Sequence, residues 1–287
     1  MDRYVTYHRT EYEYSLPVNL GPHRLIVRPR EGHELRLLSS QITTWPLANL
    51  AWSQDVFGNA VATATFTEST KSLVIESKTV LELGSVAWPV FQIAASASQY
   101  PFSYSADERA DLGALLSPQY PDPMGRLSSW AASFVRGNPT DTLSLLKDIN
   151  AGISGSASYQ VREAEGIQSP TETLDLGKGT CRDFALLFAE TVRTLGFGAR
   201  LVSGYLFNPT QLDVAGTTHA WADVFVPGAG WISFDPTNQK MGSFNLIPVA
   251  VARDLPQITP VAGIFSSSTG ADSWPRLSVD VRVNKVT

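Results

Sequence analysis

Apolar and polar residues alternate with a period of two through much of the first eighty positions, as in strands that bury one face. Segments 3–14, 24–30, 35–43 and 71–83 carry this pattern and are rich in Val, Ile, Leu, Thr, Tyr and Trp. Turn signals at Pro17, Gly21-Pro22, Glu31-Gly32 and Gly58-Asn59 separate them. Together they predict an antiparallel β-sandwich domain over residues 1–84. From 85 to 123 the alternation fades and Pro89, Pro101, Pro118, Pro121 and Pro123 interrupt the chain, which predicts a connector with one short helix at 106–116.

The period then becomes helical. Residues 126–135 and 142–154 space their apolar positions for two helices, the second through Leu143, Leu146, Ile149 and Ile153, with Asp141 or Thr140 as its cap. A polar loop follows at 157–179. The best-marked helix comes next: Thr180 and Asp183 are spaced as a capping box, Phe184, Leu187, Phe188, Thr191, Val192 and Leu195 form one face, and Gly196 ends it. Strands are expected at 199–207, 219–226 and 231–234, and the tail ends in an alternating stretch at 277–286. The fold class is therefore α+β. A core over 124–245 follows the β domain, and an extension over 246–287 completes the fold.

Composition narrows the chemistry. With 43% apolar residues in 287, the chain can fill a sizeable core without covalent staples. A single cysteine, Cys181, excludes an internal disulfide, and beside four scattered histidines it is a poor supply for a structural zinc site. The formal charge of −5 comes with dispersed Lys and Arg, which excludes a nucleic-acid footprint. No apolar run approaches the length of a membrane span, and the opening MDRYVTYHRTEYEY lacks the apolar core of a secretory signal, so a cytoplasmic protein is expected. Oligomeric state leaves no mark in the sequence.

Three residues suggest covalent catalysis. Cys181 falls in the first turn of its helix, where unpaired N–H groups and the dipole favour a thiolate, although a lone cysteine also reads as a small buried hydrophobe. Gly177 and Gly179 leave the backbone beside it open to a substrate. Alternation puts His219, Trp221, Asp223 and Phe225 on one strand face and Ala220, Ala222, Val224 and Val226 on the other. A hairpin centred on Pro227 sets His219 directly opposite Asp235, where a carboxylate would fix the imidazole tautomer, although Asp-Pro also starts ordinary turns. Trp221 and Trp231 either wall the site or pack in the core. His8, His23 and His33 read as structural.

Gly179-Thr180-Cys181-Arg182-Asp183, Ala199-Arg200-Leu201-Val202-Ser203-Gly204-Tyr205, Thr218-His219-Ala220-Trp221-Ala222-Asp223-Val224 and Trp231-Ile232-Ser233-Phe234-Asp235-Pro236-Thr237-Asn238 resemble the bacterial transglutaminase-like family. In the first half, Tyr12-Glu13-Tyr14-Ser15-Leu16-Pro17-Val18, Gly21-Pro22-His23-Arg24-Leu25 and Arg28-Pro29-Arg30 resemble the β domain that precedes the core in many bacterial members. The resemblance implies a papain-like core with Cys181 as nucleophile, His219 as general base and acid and Asp235 as orienter, and neither a metal nor an organic cofactor. It implies an amide of a peptide or protein as substrate, a thioester intermediate, and water or an amine acceptor to resolve it. The Cys181 N–H is the first oxyanion donor, and Tyr159 and Gln168 are candidates for the second or else ordinary loop residues. Two rival readings remain, an arylamine N-acetyltransferase-like acyl carrier and a non-catalytic scaffold that keeps the fold.

Overall fold

A computed structural model describes residues 1–161, 166–209, 218–267 and 275–286. Five strands come first: β1 (Asp2–Leu25), β2 (Leu35–Trp45), β3 (Asn49–Gln54), β4 (Ala60–Thr65) and β5 (Ser69–Leu83). The long β1 pairs with β5 over Asp2↔Leu83 to Glu13↔Ser72, then breaks register before Val18. Pro17 lies in that break, where its missing N–H costs no ladder bond. Val18 and Asn19 resume pairing with β5, and His23–Leu25 at the end of β1 pair with β4, giving the order β2-β5-β1-β4-β3. Tyr14, Val18, Leu20 and Leu25 of β1 share one apolar cluster with Ala62, Ala64, Leu73 and Ile75. The antiparallel β domain expected here is thus a single connected sheet whose strands enclose that cluster.

The connector crosses the second half of the chain as a strap. It holds β6 (Gln99–Tyr100), α1 (Ala106–Leu112) and a short 3₁₀ turn over Gly113–Leu116, so the expected helix is present but tightens at Gly113. The Ala94 N–H donates to Pro227 O, the Tyr104 hydroxyl to Phe225 O, and the N–H groups of Gln119 and Tyr120 to the buried Glu190 carboxylate.

Helices α2 (Arg126–Ala132), α3 (Thr142–Ser156), α4 (Pro170–Leu176) and α5 (Cys181–Thr194) follow, with β7 (Thr140–Asp141), β8 (Ser158–Tyr159) and β9 (Lys178–Gly179) between them. Asp141 caps α3 by accepting the Ser144 N–H at 2.7 Å. The stretch expected as a loop holds α4, which opens on a Ser169/Glu172 capping box with Pro170 in its first turn and closes on left-handed Gly177. Seven residues give too few turns for an apolar stripe to show, so the caps were the readable signal. Residues 162–165 of that stretch lie outside the described residues.

The core sheet contains β10 (Gly198–Leu206), β11 (His219–Val226), β12 (Gly230–Asp235), β13 (Lys240–Met241) and β14 (Leu246–Ala252), in the order β13-β12-β11-β10-β14. Phe184, Leu187, Phe188 and Val192 of α5 belong to the same buried cluster as Ala220, Ala222, Val224 and Val226 of β11. The small face of β11 therefore receives α5. The final strands, β15 (Val261–Ser267) and β16 (Arg276–Val286), return to the first sheet and pair with β1.

The two halves share a core. Tyr4, Ile26, Leu81 and Leu83 join the main apolar cluster of the second half. Buried His8 of β1 bonds the Tyr205 hydroxyl of β10 at 2.9 Å. Asn59 receives the Val251 N–H and donates to Val251 O, completing the outer edge of β14 as a neighbouring strand would. Among the described residues no helix is long and apolar enough to cross a membrane.

Candidate active site

Cys181 begins α5, a fourteen-residue helix whose first N–H groups have no acceptor one turn back. The helix start is fixed by Asp183. One oxygen of this fully buried carboxylate accepts the Thr180 N–H at 2.8 Å and the Thr180 hydroxyl at 2.9 Å, and the other accepts the Gln168 N–H at 2.8 Å. Asp183 thus joins the segment before α4 to the turn that carries Cys181. Gly179 packs tightly, since a Cβ there would lie 3.0 Å from the Asp183 Cβ and 3.1 Å from the Phe184 ring. Gly177 is needed for its left-handed backbone at the end of α4. Both glycines therefore shape the approach to Cys181 as well as exposing it.

His219 opens β11, with its Nε2 2.8 Å from Asp235 Oδ2. Cys181 is the second group that acts on this imidazole, and it too favours the protonated ring. Burial by itself would depress the imidazole pKa, but the hydrogen bonds to Asp235 and Cys181 and the negative charge on both outweigh it, raising the value to about 10. The Asp235 carboxyl is lowered despite burial, chiefly by His219 and then by Asn238.

Asp235 uses its two oxygens differently. Oδ1 accepts the backbone N–H groups of Thr237 at 3.1 Å and Asn238 at 3.3 Å, as a turn-starting aspartate does. Oδ2 accepts His219 Nε2 and, at 2.7 Å, the Asn238 side-chain amide. The two readings of this residue coexist, one on each oxygen.

The hairpin register differs from the expected one. β11 and β12 pair as Ala222↔Phe234 and Val226↔Gly230, which centres the turn on Gly228 and not on Pro227. Gly228 and Gly230 both have positive φ, at 84° and 74°, so the turn closes one residue later than a count from Pro227 gives. The expected direct opposition of His219 and Asp235 is corrected to a diagonal.

The remaining candidates separate. Parallel pairing of β8 with β9 sets Tyr159 level with Gly179, and the Gln160 N–H donates to Gly179 O at 2.9 Å. Tyr159 is exposed, yet partial burial and then negative charge at Cys181 raise its phenol, so it keeps its proton. Gln168 holds Asp183 through its backbone, and its side-chain carbonyl accepts the Thr173 hydroxyl at 3.2 Å. Trp221 is buried 6.0 Å from the His219 ring, and a Cβ at Gly204 would meet its indole. Trp231 lies toward the turn end of the hairpin, with the Arg200 guanidinium 4.2 Å from its ring centroid and paired to Asp223. Both tryptophans line a cavity of about 700 Å³ that also meets Arg30 and Phe91 but none of Cys181, His219 and Asp235. Asn238 was not a candidate, and its place three residues after Asp235, in the turn before β13, was the available signal.

Residues 4–82 match the bacterial transglutaminase-like N-terminal region, and residues 128–236 match the transglutaminase-like superfamily. An uncharacterized protein of Mycobacterium tuberculosis is 29% identical over 297 aligned positions, covering 97% of this chain and 92% of its own. A protein-glutamine gamma-glutamyltransferase of Pseudomonas aeruginosa is 36% identical over 73 residues, 23% of this chain and 11% of its own length. A solved structure from Cytophaga hutchinsonii, provisionally assigned as a cysteine protease, shares the fold with a TM-score of 0.73. It covers 100% of this chain and 91% of its own at 18% identity.

Proposed function

This chain belongs to the transglutaminase-like superfamily, and we propose that it cleaves an amide of a peptide or protein through a thioester on Cys181. The observation that carries this reading is the His219 imidazole held 2.8 Å from the buried Asp235 carboxylate, with Cys181 at the head of α5 acting on the same ring. Asp235 holds the tautomer protonated at Nε2, which presents Nδ1 to the sulfur.

In the first half-reaction the Cys181 thiolate attacks the amide carbon. The carbon–nitrogen bond breaks, and the leaving nitrogen takes the proton held at His219 Nδ1. In the second, His219 removes a proton from water or an amine as that nucleophile attacks the thioester, and the carbon–sulfur bond breaks to restore the thiolate. The helix-head N–H of Cys181 and the protonated Tyr159 hydroxyl are the donors offered to the oxyanion.

We favour water as the resolving nucleophile, giving peptide or isopeptide hydrolysis. Amine transfer is the second reading, supported by the short similarity to the Pseudomonas aeruginosa gamma-glutamyltransferase. Incubating a peptide library with the protein, with and without a fluorescent primary amine, separates them: new carboxylates support hydrolysis, and amine-labelled peptides support transfer. Cys181 is the sole cysteine, so iodoacetamide reports on it alone. Fast labelling near neutral pH, slowed in His219→Ala, is expected. Labelling only after denaturation would favour a scaffold, and acetylation by acetyl-coenzyme A an acyl carrier.

A further inference from the structure

We propose that Asn238 is a positioning residue for Asp235, locking the carboxylate in the orientation that His219 needs and shielding its oxygen from solvent; this rests on the triad reading above. Asp235 ends β12, and its neighbour across the next hairpin is Lys240, so residues 236–239 form the turn between them. Within that turn the Asn238 amide reaches back to Asp235 Oδ2 at 2.7 Å, the same oxygen that accepts His219 Nε2 at 2.8 Å.

Four donors meet one carboxylate. The N–H groups of Thr237 and Asn238 reach Oδ1, and the Asn238 amide and the imidazole reach Oδ2. Rotation of the carboxylate would break bonds on both oxygens at once. The two backbone donors alone would leave Oδ2 with the imidazole and an open lone pair at a site where Asn238 itself is exposed. Water entering there would compete with the imidazole for Oδ2. The titratable group facing this carboxylate is the imidazole, and its backbone neighbour across the hairpin is the exposed Lys240.

Exposure makes the test clean, because Asn238 can be changed without opening the core. Two variants of the full chain are compared with wild type by the pH dependence of Cys181 labelling with iodoacetamide, with thermal melting as the control. Asn238→Ala removes the donor. It is expected to move the acid limb of the labelling profile to higher pH, slowing labelling on that limb about tenfold, roughly one pH unit. Asn238→Asp is isosteric but replaces the donor with a second carboxylate oxygen facing Oδ2, and its displacement is expected to exceed that of alanine.

A residue that only fills the turn would tolerate the isosteric change. An Asn238→Asp profile superimposable on wild type would overturn the proposal, as would equal slowing of both variants at every pH together with a lowered melting temperature. The triad is tested separately in the same assay. Wild-type labelling no faster than in His219→Ala would remove the triad itself, whereas a normal His219→Ala effect with unaltered Asn238 variants would remove only Asn238.

Discussion

His219 and Asp235 meet on a diagonal of the β11–β12 hairpin: Ala222 pairs with Phe234, so Asp235 stands level with Trp221, and the imidazole reaches back to within 2.8 Å of Oδ2. The buried indole of Trp221 lies 6.0 Å from the imidazole ring. Diagonal neighbours stand farther apart than directly opposed ones, and the Asp235 carboxylate is held from both oxygens.

Asp235→Asn keeps the shape and removes the charge. The chain is expected to fold with an unchanged melting temperature to within a few degrees, while turnover falls by about 10³–10⁴-fold through loss of the imidazole tautomer and its counter-charge. Steady-state kinetics on a cleaved peptide measures this. Activity close to wild type would take Asp235 out of the mechanism.

The raised pKa of His219 has a consequence for stability. The folded chain holds this proton up to about pH 10, whereas the unfolded chain releases it near 6.5. The contribution is therefore complete below about pH 6.5 and is lost as pH rises toward 10. Urea unfolding between pH 6 and 10 should show an alkaline decline that is shallower in His219→Ala. Parallel declines in the two proteins would contradict it.

His8 behaves in the opposite sense. Its Nδ1 lies 2.9 Å from the Tyr205 hydroxyl and its Nε2 2.9 Å from Thr10 Oγ1, and burial lowers its pKa to about 4. Between pH 6.5 and 4 the unfolded chain takes up a proton that the folded chain refuses, so stability rises with pH in that window and is complete above it. His8→Gln, which cannot ionise, should flatten the acid limb of a stability profile measured by urea midpoints from pH 4 to 7. An unaltered acid limb would show that other groups set it.

Arg193 and Glu190 form a pair at 2.6 Å with both side chains fully buried. The guanidinium also donates to Ala199 O at 2.7 Å and Arg253 O at 2.9 Å, while the Glu190 carboxylate receives the connector N–H groups. Arg193→Met strands a buried carboxylate and is expected to cost about 3–5 kcal/mol in urea unfolding. Adding Glu190→Gln should recover part of that loss. A single variant as stable as wild type would show that the pair has little structural weight.

Local rules read along the chain were enough for the parts of the site that depend on neighbours in sequence. Thr180 and Asp183, with the apolar stripe through Phe184, Leu187, Phe188 and Val192, specify a helix beginning at Cys181, because capping and periodicity act within a few residues. Alternation along β11 likewise assigned Ala220, Ala222, Val224 and Val226 to the face that receives α5. The order of Cys181, His219 and Asp235 resembles that of the transglutaminase-like family, which made the proposed triad readable before any contact was known.

Tertiary structure decided what depends on closure between distant segments. A one-residue difference in the Gly-rich turn moves cross-strand partners by two positions, which alternation within each strand leaves undetermined. The return of β15 and β16 to β1, the convergence of Thr180 and Gln168 on Asp183, and the separation of Trp231 from the triad belong to the same class. By itself the sequence determined the local conformations and the chemical cast. Which side chains share an oxygen, a ring face or a core followed only from packing, because those contacts depend on all the intervening chain being placed at once.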